Sequence, residues 1–78
     1  MEEMRRRRTA AVVVDRAQLR RRRQIKGLDQ AELAVLAKVS PSYVGHIESG
    51  RRPTVSPGVF ARICDALDVE DRTELMAS

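Results

Sequence analysis

The 78-residue chain has no tryptophan and only one tyrosine, one phenylalanine, one histidine and one cysteine. So few large aromatics leave a core to be filled by Leu, Val, Ile and Ala, which points to a helical globule and away from a β-sandwich. The lone Cys64 excludes an internal disulfide and any zinc site built on paired cysteines. With one histidine, no paired acidic cluster in a pocket and no glycine-rich phosphate loop, acid–base, nucleophilic and metal chemistry all lack their parts. No catalytic residue, metal site or cofactor is therefore expected. No apolar run is long enough for a signal peptide or a membrane span, so a soluble, cytoplasmic protein without a membrane partner is expected. A chain of this length makes one small domain that buries only about 60% of its unfolded surface, too little for a catalytic cleft of ordinary size.

What the sequence has in plenty is positive charge at one end. Fifteen Lys and Arg stand against eleven Asp and Glu, for a formal net charge of +4. Met1 to Leu28 holds ten bases and three acids, the next segment to Gly50 one base and three acids, and the remainder four bases and five acids, giving +7, −2 and −1. A basic end of this kind attracts polyanions, of which nucleic acid is the commonest; a solubility tail or an anionic membrane surface is the blander reading.

Arg5 to Arg8 and the small residues after them have little to bury, so residues 1–14 are expected to be a flexible basic arm and residues 15–78 the folded domain. Within the arm, the β-branched run Val12 to Val14 suits an extended segment that docks on a neighbour. Asp15 suits an N-cap for a first helix ending at Gly27, a residue fit for the left-handed position. Leu19 and Ile25 are its only large apolar residues, and of the run Arg20 to Arg23 only one or two can point inward. Asp29 with Glu32 is a reciprocal capping pattern for a second helix, in which Leu33, Leu36 and Ala37 recur at spacings of three and four beside Ala34. Ser40 and Pro41 then open a third helix with Val44 and Ile47 inward, ending at Ser49 and Gly50. Arg51 to Gly58 reads as a loop. Phe60, Ile63, Cys64 and Leu67 form the full core-facing stripe of a fourth helix, and a short last helix from about Glu70 offers Leu75 and Met76.

Two short helices joined by a tight connection, the second opened by Ser-Pro, have helix-turn-helix geometry, in which the second helix enters the major groove. Gln30-Ala31-Glu32-Leu33-Ala34, Val39-Ser40 and Ile47-Glu48-Ser49-Gly50-Arg51-Arg52-Pro53 resemble the motif of the phage repressor, Cro and Xre type of helix-turn-helix domain. Ala66-Leu67-Asp68-Val69 looks like the small-Leu-Gly-Val ending of its fourth helix. The resemblance spans about Asp15 to Val69. It implies an all-α, lambda-repressor-like bundle of about five short helices, and a stand-alone Cro-like or controller protein of bacterial or phage origin.

The resemblance also implies roles. Gln30 matches the glutamine that braces the DNA backbone and the first recognition side chain. Ser42, Tyr43 and His46 fall at positions that reach base edges, and their own chemistry agrees: a hydroxyl for base or phosphate, a ring for a thymine methyl, an imidazole for guanine. Pro41 occupies a slot where other members carry a base-reading amide, so one direct hydrogen bond is missing. Ser49, Arg51 and Arg52 are placed for phosphates. Gly45 either lets the helix approach DNA closely or is simply tolerated. Arg23 and Glu48 match an internal ion pair, a structural role. Arg22 stands where many members have leucine, and Lys38 where most have the turn glycine. Arg5, Arg6, Arg7 and Arg8 suit the backbone or an adjacent minor groove; with six phosphates neutralised in all, the log–log salt slope would be about −5.

The function these readings support is a sequence-specific transcriptional regulator, most simply a repressor. It would bind a pseudo-palindromic operator in double-stranded DNA as a homodimer and be nucleoid-associated. Dimer contacts are expected around Leu75 and Met76, with Val12 to Val14 as a second candidate. The rival is an antitoxin-like protein-interaction module with secondary DNA binding, and a third reading is sequence-tolerant DNA compaction by the arm.

Overall fold

The computed structural model describes residues 11–77; Arg5, Arg6, Arg7 and Arg8 lie outside the described residues. The order is β1 (Val12–Val13), α1 (Arg16–Ile25), α2 (Gln30–Ala37), α3 (Pro41–Ser49), β2 (Thr54–Val55), α4 (Pro57–Ala66) and a 3-10 helix (Arg72–Leu75). Each α-helix starts where a short polar side chain satisfies an otherwise unpaired backbone N–H. Asp15 accepts from Gln18, Ser40 from Tyr43 and Ser56 from Val59, while Asp29 and Glu32 complete the reciprocal box. At the other end of α2, Arg62 Nε donates to the Ala37 carbonyl at 2.7 Å, tying a helix terminus to α4.

The core runs through all the helices: Leu19 of α1, Leu33 of α2, Ile47 of α3 and Ile63 of α4 are almost wholly buried. Truncating any of them to Ala would cost about 2–5 kcal/mol. Cys64 is fully buried among them, and burial pushes its thiol pKa up, so it acts as an inert apolar residue.

Four expectations change. Leu36 is half exposed and Val35 more so, while Ala34 joins Leu33 and Ala37 inside. In α2 apolar residues surround the axis, so spacing alone does not select the inner face; contact with α3 and α4 does. Ile25, at the end of α1, is also largely exposed. The segment from Arg51 to Gly58 is not all loop: Thr54–Val55 pairs antiparallel with β1 in the register Val12 with Val55 and Val13 with Thr54. Finally, the last helix is a single 3-10 turn, and Leu75 is fully buried. Leu75 packs into the core of its own chain, while Met76 beside it stays exposed and bridges to Val14.

Candidate nucleic-acid interface

The interface is built around α3, which buries Val44 and Ile47, half-buries Tyr43, Gly45, His46 and Glu48, and exposes Pro41, Ser42 and Ser49. The turn before it reverses direction at Lys38, whose φ of 60° is left-handed, a conformation that costs a residue with a Cβ about 1 kcal/mol or more. The Lys38 N–H nonetheless donates to the Val35 carbonyl, and that of Val39 to Ala34, closing α2. Ser40 then caps α3 with Pro41 in its first turn. Pro41 and Ser42 are exposed at this end, and the hydroxyls of Ser40 and Ser42 lie 3.3 Å apart.

The far end of α3 is anchored to α1. Arg23 is the one buried charged residue among the described residues, and its Nε and Nη2 donate to the two carboxylate oxygens of Glu48 at 2.6 and 2.9 Å. Its Nη1 donates to the Leu28 carbonyl at 2.8 Å. The pair expected from the resemblance thus stands as a bidentate, nearly dry bridge. Burial alone pushes the Glu48 carboxyl up, but hydrogen bonds from Arg23 and Gln30, with the charges of Arg23 and Arg20, outweigh it and hold Glu48 below the ordinary carboxylate range. The bond to Glu48 likewise raises Arg23 against its own burial.

Gln30 belongs to the same network, which sequence reasoning missed. Its Nε2 donates to Glu48 Oε1 at 3.0 Å. A carboxylate only accepts, so the amide orientation is set and Oε1 turns towards α3. There it meets Gly45, where an added Cβ would sit 3.3 Å from it. A side chain at Gly45 would require Gln30 to give by a few tenths of an ångström.

Arg16 was also missed. Its Nη1 donates to the Ser49 carbonyl at 2.6 Å, satisfying an orphaned acceptor at the end of α3. Gly50 follows with φ of 88°, and a Cβ there would collide with the Arg16 guanidinium. A contact 33 residues away in sequence has no local signal; only the position of Gly50 hints at it.

Beyond α3 the chain folds back over its outer side. The Ser49 hydroxyl donates to the His46 carbonyl, the Arg51 N–H to the Ser49 hydroxyl, and the Arg52 N–H to the His46 carbonyl. Arg51 Nη1 lies 3.5 Å from His46 Nε2, and the Arg52 guanidinium covers the Tyr43 ring at 4.9 Å from its centroid, a cation–π contact. His46, Arg51 and Arg52 also line one open depression with Pro53 and Thr54. The candidate residues Tyr43, His46, Ser49, Arg51 and Arg52 are thus drawn together, Gln30 joins them through Glu48, and Pro41 and Ser42 stand apart at the free end of α3.

Residues 16–77 match the family model described as a helix-turn-helix domain. Among solved structures, the restriction-modification controller protein C.AhdI from Aeromonas hydrophila is 41% identical with a TM-score of 0.69, over 76% of this chain and 86% of that one. The clp gene regulator ClgR from Corynebacterium glutamicum is 42% identical with a TM-score of 0.63, over 68% of this chain and 55% of that one. The N-terminal DNA-binding domain of SinR from Bacillus subtilis is 29% identical with a TM-score of 0.69, over 76% and 86%. No curated protein sequence matches the chain. The family-model match covers the four helices and the network that anchors α3. The chain belongs to the helix-turn-helix domain family, of the repressor, Cro and Xre type that its motifs resemble, and is a DNA-binding regulator of transcription.

Proposed function

We propose that α3 is laid in the major groove of a specific operator and that the protein represses by occluding a promoter. The observation that carries this reading is a helix fixed along its inner side and at its C-terminal end, with Pro41 and Ser42 exposed, His46 half-buried and Tyr43 half-buried against the edge of the core. A recognition helix is read mainly from its N-terminal residues, and this one keeps that end clear.

Ser42, Tyr43 and His46 are then the base-reading side chains. An imidazole N–H of His46 is the donor matched to guanine O6 or N7. Pro41 contributes shape and a contact surface, with no donor. Gln30, Ser49, Arg51 and Arg52 hold the phosphates, and Arg52 also keeps the Tyr43 ring in place. Arg5, Arg6, Arg7 and Arg8 add backbone or minor-groove contacts. Two copies bind a pseudo-palindrome with half-sites about 34 Å apart, in contact around the exposed Met76, with the exposed Val13 of β1 as a second candidate. The neighbours named a controller, a gene regulator and a DNA-binding domain support this direction.

The test is selection from a random duplex library at about physiological salt, with His46→Ala in parallel, because specificity separates the readings where affinity does not. A two-fold motif whose inner preference relaxes in the variant supports the proposal. A second reading, a protein-interaction module, is favoured by the exposed Val35 and Leu36 on α2; failure to enrich any sequence would move the weight there.

A further inference from the structure

Beyond α3 the sequence runs Arg51-Arg52-Pro53-Thr54-Val55. Its last two residues form β2, and successive strand residues face opposite ways. Val55 is buried in the core, whereas Thr54 is half-buried on the face of the exposed Val13, its partner in register. Thr54 also lines an open depression of about 320 Å³ with His46, Arg51, Arg52 and Pro53. The Val14 N–H donates to the Pro53 carbonyl, and Val12 pairs with Val55. That parity turns Pro53 and Val55 towards β1 and the backbone groups of Thr54 to the other side, where the sheet has no further strand among the described residues. Among the described residues neither arginine forms an ion pair; Arg51 lies against His46 and Arg52 over Tyr43. A hydroxyl on an extended sheet edge thus stands beside two guanidiniums that precede it by three and two residues.

We propose that Thr54 is a phosphorylation site, modified from ATP by a protein kinase whose acidic substrate groove pairs with Arg51 and Arg52. Charge patterns of this kind are a means by which kinases choose substrates. The Thr54 hydroxyl oxygen forms the new bond to the γ-phosphorus, and the bond from that phosphorus to the oxygen it shares with the β-phosphate breaks, releasing ADP. The hydroxyl proton passes to the catalytic carboxylate of the kinase. The product is a phosphate of charge near −2 beside the same two arginines, which receive it through charge-assisted hydrogen bonds. Held there, they no longer serve DNA phosphates, and negative charge stands next to α3. Modification is therefore an off switch; this consequence rests on the DNA-binding reading, and the acceptor site does not.

The test incubates the full chain with ATP and the catalytic domain of an arginine-directed serine/threonine kinase, and locates the added phosphoryl group by fragment mass spectrometry. Thr9 also follows arginines at these spacings and lies outside the described residues, so Thr9→Ala is the parent chain. Thr54 should be labelled. Thr54→Val, which keeps the shape and strand preference of threonine without its hydroxyl, should not be. Arg51→Ala and Arg52→Ala should each slow labelling about tenfold, the worth of one charge-assisted hydrogen bond. An unlabelled Thr54, or labelling that ignores both arginines, overturns the site. On the duplex enriched by selection, the phosphorylated chain should bind more weakly, with a log–log salt slope smaller by about 1.8, two contacts at about 0.9 each. Between 50 and 200 mM salt the unmodified chain should therefore lose about 12-fold more affinity than the modified one. An unchanged slope overturns the switch. If the unmodified chain binds no duplex, the DNA-binding reading falls and the switch with it, while the labelling still decides the acceptor site.

Discussion

The two ends of α3 are held by different means. At the N-terminal end a lysine adopts a left-handed turn, a serine caps the helix, and Pro41 and Ser42 stand exposed. At the C-terminal end two arginines from α1 converge, Arg23 on the Glu48 carboxylate and Arg16 on the Ser49 carbonyl. The same left-handed backbone occurs at both ends, at Lys38 and Gly50. Only at Gly50 does a neighbour occupy the space of a Cβ. The helix is therefore fixed from behind, where long-range contacts do not obstruct its exposed first turn.

The largest effect should come from cutting the anchored end. Arg23→Ala strands the Glu48 carboxylate in a nearly dry site, and breaking such a pair costs about 3–5 kcal/mol, read as a lower urea midpoint at unchanged slope. The same pair sets an acid limit. Glu48 is held below the ordinary glutamate value of about 4.3, so its contribution is fully present above that value and is lost as pH falls through the lower folded one. Stability of Glu48→Gln, measured across that acid range, should fall less steeply than that of the wild type.

Gly50→Ala comes next, because it adds a left-handed cost of about 1–2 kcal/mol to displacement of Arg16. Arg16→Ala in the same background should return the displacement part and leave the backbone part, an interaction visible in a double-mutant cycle by thermal melting. Weakening the exposed end should matter less. Ser40→Ala removes the N-cap acceptor and should cost about 1 kcal/mol in denaturant titration. Lys38→Gly should reverse the sign, gaining up to about 1 kcal/mol by relieving the left-handed lysine. A gain as large from replacing Gly50 would erase the distinction between the two ends.

The parts of this fold legible in the sequence are those with local signals. Asp15, Asp29, Ser40 and the apolar stripe of α4 mark their helices without help from the rest of the chain. The inner face of α2 was less legible, since Val35 and Leu36 are as apolar as Leu33, and burial was decided by what packs against it. Two-residue strands carry no period, so the pairing of Val12–Val13 with Thr54–Val55 could only emerge from the closed structure. In the candidate site the family motif marked the outward residues of α3 and the Arg23–Glu48 pair. It did not mark Arg16, which is linked to Ser49 by position in space alone, nor the close approach of Gln30 to Gly45. The run Arg20 to Arg23 looks uniform as text, yet the fold gives Arg23 to the interior, Arg22 to Glu74 at the surface and Arg20 to solvent.

The small ribbon at the back of the molecule has a topological consequence. Val14 bridges to Met76, and the Ala77 N–H donates to the Val13 carbonyl at 2.9 Å, so the first and last described segments leave the fold side by side. A short covalent link there would close a ring around almost the entire domain. It would shrink the unfolded ensemble, whose loop-closure entropy grows with ring size, while leaving the exposed first turn of α3 untouched.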